Sequence, residues 1–202
     1  MCDRKRFSEP TSPRENRMSQ PQKEPAYSRE EFRRWCASQG SGRFERVGGQ
    51  IVAMSPERAS HVRVKGRVFN ALQRAIREAG VQCEAMPDGV TVETGDNDYE
   101  PDALVNCGPP MGDDEISAPN PVIIVEVLSP STTGTDTGGK LADYFQVPSV
   151  AHYLIVHPTK QSVIHHRRDA SVGIETRIVA SGQIELDPPG ISVMVEEFYV
   201  AD

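Results

Sequence analysis

Glu100-Pro-Asp102-Ala-Leu-Val105 and Val122-Ile-Ile-Val-Glu126-Val-Leu-Ser129 each set one carboxylate at or inside a short apolar run. Both runs have strand length, and the second is nearly continuous in Val and Ile, the pattern of a strand buried on both faces. Alternation along it turns Glu126 the same way as Ile124 and Leu128, away from Val125 and Val127. An unpaired charge at such a position is costly to desolvate. A divalent cation compensates well, because hard Mg²⁺ takes one or two carboxylates and keeps waters for a phosphate substrate. A salt-bridged strand glutamate and an exposed aspartate after proline are the plainer readings, and the two runs alone leave the choice open.

Working outward, the segment before these strands predicts a long amphipathic helix over residues 59–79. Val64, Val68, Phe69, Leu72, Ala75, Ile76 and Ala79 gather on one side at about 100° per residue, with Arg63, Arg67, Arg74 and Arg77 opposite. The arginines are either a solvated face or a stripe for phosphate contact. His61, in the first turn, projects to the apolar side, as a packed core histidine or as a group facing a site. Farther upstream, Ser28-Arg-Glu-Glu31 has the form of a capping box and predicts a short helix ending near Gly40. Gly48-Gly49 then predicts a hairpin turn leading into a strand over 50–54. Other strands are expected over 81–85, 90–93 and 103–107. Beyond Glu126 a short helix is expected over 140–146, then a strand over 152–156 and further β-structure over 161–167, 175–180 and 191–195. Helix, strands, helix and strand make an α/β arrangement with a mixed sheet.

Residues 1–25 are rich in Ser, Pro, Arg, Glu and Gln and have almost nothing to bury, the composition of a disordered tail; residues 26–202 are sized for one domain. Such a domain buries roughly 70% of its unfolded surface and needs neither disulfide nor metal merely to fold. Cys2, Cys36, Cys83 and Cys107 lack C-x-x-C spacing and no secretory signal is visible, which reads as a reducing, cytoplasmic setting. No run approaches the roughly 18 apolar residues of a membrane span. The net charge of -7 is uneven: between Glu78 and Gly139 there is no Lys or Arg, and 13 acidic residues fall there. A segment of that kind repels phosphate unless cations intervene.

Pro101-Asp102, Glu126-Val-Leu-Ser129, Asp136-(x3)-Lys140-(x3)-Tyr144 and Tyr153-Leu-Ile-Val156, in this order, resemble the Uma-two family of small restriction endonucleases, within the PD-(D/E)XK nuclease superfamily. The resemblance runs over residues 28–198 and takes in Gly49-Gln-Ile-Val-Ala-Met54, His61 and Pro189-Gly-Ile-Ser-Val193. It implies a restriction-endonuclease-like core, to which this chain adds an N-terminal helix and hairpin and C-terminal β-structure. It further implies Mg²⁺, replaceable by Mn²⁺, held by Asp102, Glu126 and the Val127 backbone carbonyl, with DNA as substrate; a homodimer is a candidate assembly that the sequence does not decide. Where the superfamily has its lysine this chain has Leu128, which cannot donate a proton. The resemblance moves that role to Lys140 on the following helix, where Asp136 and Tyr144 share its face at i−4 and i+4. Gly138-Gly139 leaves open whether Asp136 belongs to the helix or to the loop before it, and Lys140 also has a plain reading as a surface lysine. His61 stands where the family carries a histidine near the metal.

The expected activity is therefore metal-dependent hydrolysis of DNA phosphodiester bonds. One rival is a nuclease-fold protein that binds or regulates without efficient turnover, suggested by Leu128 and a pI of about 5.3. Another is a glycosidase using the two carboxylates as acid and base, for which one Trp offers little sugar-stacking surface. Deletion of residues 1–25 is expected to leave the thermal midpoint unchanged within about 2 °C, the scale of a few tenths of a kcal/mol. A drop of many degrees in calorimetry would contradict the tail reading.

Overall fold

The computed structural model describes residues 26–129 and 136–199, so the tail expected over residues 1–25 lies outside the described residues. The chain opens with α1 (Arg29–Ser38), whose N-cap Ser28 and Glu31 form a reciprocal capping box. Next comes the hairpin of β1 (Phe44–Val47) and β2 (Gln50–Ala53). Its two turn residues, Gly48 and Gly49, have φ of 57° and 78°, which a tight two-residue hairpin turn demands and only glycine adopts freely. Helix α2 (Ala59–Ala79) stops at Gly80 in the left-handed conformation, whose N–H caps the Ile76 carbonyl.

Four strands follow: β3 (Cys83–Pro87), β4 (Val92–Glu93), β5 (Asp98–Tyr99) and β6 (Ala103–Cys107). They lead to β7 (Pro121–Val127), α3 (Asp136–Tyr144), β8 (His152–His157), β9 (Ser162–Asp169) and β10 (Gly173–Val179). The hairpin of β11 (Gln183–Leu186) and β12 (Ile191–Met194) and a 3-10 turn (Val195–Phe198) close the chain. The main sheet has the order β10-β9-β8-β7-β6-β3, with β7 and β8 parallel across α3 and the other pairs antiparallel. A second sheet, β2-β1-β5-β4, sits beside the main one. This is the expected α/β fold with a mixed sheet.

Strand β7 holds the middle. Ile123, Val125 and Val127 join Val64, Val68, Leu72 and Ile76 of α2 in one core. Ile124 points the other way into a second core with Leu104, Tyr144, Tyr153 and Ile155. Full burial of each such side chain stabilises by about 1.5–3 kcal/mol, and both faces of the strand are used up in this way. Glu126 is the single residue of β7 that is not fully buried.

Three expectations need correction. The helix expected over 140–146 starts four residues earlier, running through Gly138-Gly139. Packing of Tyr144, which is fully buried, outweighs the low helix propensity of two glycines. Strand β5, which joins the expected hairpin and the expected strand over 90–93 into a second sheet, was not foreseen, because two residues are too short to show a period. Cys83 and Cys107 lie opposite each other in the β3–β6 register and form a disulfide, with Cα atoms 4.0 Å apart. Their separation of 24 residues gave no cue, and the reading of a reducing compartment loses the support it drew from cysteine spacing.

Behind the sheet, His152 Nδ1 and His165 Nε2 are 2.9 Å apart and buried. Burial holds each imidazole down to about 4. Unfolded histidines titrate near 6.5, so as pH falls from about 6.5 to 4 the unfolded chain takes up protons first. Stability is fully present above that window and lost through it, at up to about 1.4 kcal/mol per pH unit for each group. NMR titration of the imidazole Hε1 resonances should show both titrating well below 6; values near 6.5 would refute the burial argument.

Candidate active site

Asp102 stands one residue ahead of β6, where the Pro101 before it contributes no amide donor. Its Oδ2 accepts the Val127 N–H at 2.6 Å, which continues the β6–β7 ladder by one rung through a side chain. The carboxylate is 7% exposed and its Oδ1 lies 3.0 Å from Lys65 Nζ. Glu126, next to last in β7, accepts from the Tyr144 hydroxyl at 2.8 Å and from Lys140 Nζ at 3.1 Å. Lys140 and Tyr144 are i and i+4 on α3, so one helix face delivers both donors to one carboxylate oxygen. Lys140 also donates to Glu45 Oε1 at 3.0 Å and lies 4.9 Å above the Tyr99 ring. Glu45 in turn takes the Glu100 N–H at 3.0 Å, so β1 is tied to the segment between β5 and β6 that carries Asp102.

From the opposite side α2 supplies His61 and Lys65, again four residues apart. Lys65 is buried, and its ammonium bonds Glu57 at 2.7 Å and Asp88 at 2.6 Å besides Asp102. His61 Nε2 is 2.6 Å from the Val127 carbonyl and 3.7 Å from Asp102 Oδ2. A carbonyl only accepts, so Nε2 carries a proton, and Nδ1 lies 3.3 Å from Glu57 Oε2. Arg43 joins Asp88 and Glu100 at 2.6 and 2.5 Å. Six carboxylates (Glu45, Glu57, Asp88, Glu100, Asp102, Glu126) thus share three fixed cations (Arg43, Lys65, Lys140).

The imbalance has measurable effects. Burial, reinforced by Asp102 and Glu45, pushes the Glu126 carboxyl up to about 7, while Lys140 and Tyr144 pull it down. Burial opposes the charge on Lys140, but Glu126 and Glu45 outweigh it and hold the ammonium above the usual lysine range. Lys65 is raised in the same way, against burial, by Asp102, Asp88 and Glu57. The Tyr144 hydroxyl, raised by burial and by Glu126, stays a neutral donor. Neither lysine is a proton acceptor at neutral pH. Each is a fixed positive charge.

Glu45, His61, Asp102, Glu126, Lys140 and Tyr153 line a common cleft of about 540 Å³. A second cavity of about 610 Å³ opens beside Lys65 and Asp88, and residues 54–57 and Asp102 border both. Within the first, the ligand atoms of Glu57, His61 and Asp102 lie within 4.8 Å of one another. Glu126 falls outside that tight set, on the α3 side. Leu128 also lines the cleft. Of the other candidates, Asp136 begins α3, but its side chain lies outside the described residues. The arginine stripe is divided: Arg67 donates to the Tyr199 carbonyl at 3.1 Å and Arg74 is paired with Glu197, whereas Arg63 and Arg77 are exposed. None of the four borders the cleft among the described residues.

Glu57, Lys65, Asp88 and Arg43 were not singled out in the sequence. For Lys65 the signal existed, since His61-x3-Lys65 places a lysine one turn along from a histidine on the apolar side of α2.

A family model described as "Putative restriction endonuclease", Uma2, matches residues 29–196. The chain belongs to the Uma2 family. Among curated relatives, the Synechocystis sp. protein slr1290 is 29% identical over 187 residues, covering 87% of this chain and 92% of that one. A second Synechocystis sp. protein, sll1609, is 24% identical over 132 residues, covering 64% of this chain and 75% of its own. A crystal structure described as a "putative nuclease belonging to DUF820", from Anabaena variabilis, superposes with a TM-score of 0.67. At 15% identity, over 84% of this Uma2 chain and 96% of that one, it shows the shared fold. No helix among the described residues is long and apolar enough to cross a membrane.

Lys65→Met would leave Glu57, Asp88 and Asp102 without their shared cation, and removal of one partner from a buried ion pair costs about 3–5 kcal/mol. Urea unfolding at pH 7 should show a loss near the lower figure, while the exposed Arg63→Ala stays within about 0.5 kcal/mol. Equal effects would mean that Lys65 is not the electrostatic hub of the α2 side.

Proposed function

We propose that this protein is a metal-dependent endonuclease that hydrolyses phosphodiester bonds in DNA. The observation that carries the reading is the meeting of Asp102, Glu126 and Lys140, from the entry to β6, from β7 and from α3, in one acidic cleft of a Uma2 chain. The donor set suits a divalent cation. Carboxylate oxygens, a backbone carbonyl and an imidazole are ligands for Mg²⁺ or Mn²⁺, and six carboxylates against three cations leave negative charge for such an ion to balance. We assign the cation to Asp102 and Glu126, with the Val127 carbonyl; His61 and Glu57 flank it.

When bound, the cation polarises the phosphate and lowers the pKa of a coordinated water. The chain's own groups do the rest. Lys65 fixes Asp102 Oδ1, the Val127 N–H fixes Oδ2, and Tyr144 fixes Glu126, so the two carboxylates are oriented before substrate arrives. Lys140 keeps its proton. It stands in for the missing strand lysine as a charge that orients the attacking water and offsets the negative charge developing on the phosphate. Arg63 and Arg77 remain as candidates for backbone phosphate contact, because Arg67 and Arg74 are committed to the C-terminal segment.

The test is incubation with plasmid, linear, single-stranded and branched DNA in Mg²⁺, Mn²⁺ or EDTA. Cleavage is expected with either metal, none in EDTA, and none for Asp102→Ala. Lys140→Ala, checked for folding by circular dichroism, should lose about 10²-fold or more in turnover while calorimetric Mn²⁺ affinity is nearly kept, because a lysine is not a ligand. Mn²⁺ binding by the parent with no cleavage of any DNA would favour the rival reading suggested by Leu128, a nuclease fold retained for binding or regulation.

A further inference from the structure

The main sheet ends at β10, whose sole strand partner among the described residues is β9. Seven residues long, it is exposed along most of its length. Ile178 is the most exposed large apolar side chain of the described residues at 75%, and Ile174 on the same face is 40% exposed. Val172, just ahead of the strand, is 69% exposed. Isolated exposed hydrophobics need no explanation, but Val172, Ile174 and Ile178 share one parity along an open edge, interrupted by Thr176, and form a stripe. Natural sheets usually blunt such an edge with charges, prolines or bulges. At the opposite end of this sheet, β3 finishes in Pro87. On β10 the charges are Glu175 and Arg177, of opposite sign and two residues apart.

That spacing has a specific geometric meaning. When a strand pairs antiparallel with its own copy about a two-fold axis normal to the sheet, opposed residues must lie on the same face, so the axis passes through a residue. An axis at Glu175 sets Gly173 against Arg177, and one at Arg177 sets Glu175 against Val179. Only an axis at Thr176 sets Glu175 against Arg177 of the second copy twice over, with Ile174 against Ile178 on the other face, again twice. The edge is self-complementary in both charge and apolarity about one point. Opposite charges directly across a strand pair attract and like charges repel, so Glu175 and Arg177, which pair with each other within one chain, repel a partner strand at the two adjacent registers, where like meets like, while admitting this one.

We propose that two copies of this chain associate edge to edge through β10, antiparallel and centred on Thr176, joining their main sheets into one. The occupant of the edge is a second copy, since both the charge order and the apolar order are palindromic about Thr176. This goes beyond the nuclease reading and does not depend on it.

The test is sedimentation velocity on the full chain from micromolar to near-millimolar loading, under conditions that keep the Cys83–Cys107 disulfide. A reversible dimer is expected. Ile178→Lys removes a wholly surface side chain, and Arg177→Glu sets four carboxylates across the axis; each should raise the dimer dissociation constant about tenfold or more. A second measurement does not depend on affinity. In a Cys2→Ser, Cys36→Ser background, Thr176→Cys meets its own copy at about 4.5–5.5 Å between Cα atoms, within disulfide range, and should cross-link under mild oxidation. Ser171→Cys, off the strand, should not. A parent that stays monomeric throughout, a dimer indifferent to both substitutions, or no excess cross-linking at position 176 over position 171 would overturn the proposal.

Discussion

A carboxylate on the middle strand of a sheet that is packed on both faces cannot be neutralised by its own strand, and the neighbourhood of Glu126 is organised around that constraint. Val125 and Val127 beside it are committed to the α2 core, and Ile124 two residues back fills the other. The compensating groups have to come from a separate element, and α3 brings Lys140 and Tyr144 on one face. Lys140 then needs a second carboxylate to keep its charge in a buried setting, which recruits Glu45 and with it β1. The small second sheet is tied to the main one partly through this single ammonium.

The same logic runs on the α2 side with different residues. Asp102 is held by Lys65, and Lys65 by Glu57 and Asp88, so the loop ahead of α2 and the end of β3 are drawn toward the cleft. Ion networks of this kind contribute little to net stability compared with a well-packed apolar core of the same volume. Here they hold fixed charge at the cleft at that cost. The two halves differ in what they offer: the Asp102 side gathers three ligand atoms close together, while the Glu126 side presents one carboxylate whose Oε1 takes two protein donors.

Much of the fold was legible because its main elements are long or strongly patterned. Helix α2 carries its apolar stripe for 21 residues, and β7 is an unbroken branched run with one anomalous glutamate. Lys140 and Tyr144 could be placed beside Glu126 from spacing and family resemblance together. Lys65 escaped notice because a lysine on a helix is ordinarily read as solvated, and its burial arises from carboxylates contributed by residues 57, 88 and 102, which no local window contains. The partial withdrawal of the arginine stripe has the same origin: Arg67 and Arg74 meet the chain's last turn, more than 100 residues away in sequence. The β3–β6 disulfide likewise follows from register rather than from local spacing.

One bond described above joins scaffold and site more directly than the rest. Because Asp102 accepts the Val127 amide as though it were the next rung of the sheet, the orientation of that carboxylate inherits the stiffness of the central strands rather than the looseness of a loop. The traffic also runs the other way. Any ion, proton or substrate that draws on Asp102 Oδ2 must weaken its hold on the Val127 N–H, and a backbone amide released from a buried hydrogen bond exchanges its hydrogen faster and shifts its resonance. The Val127 amide is therefore a native reporter: one peptide signal, requiring no probe, that follows what occupies Asp102.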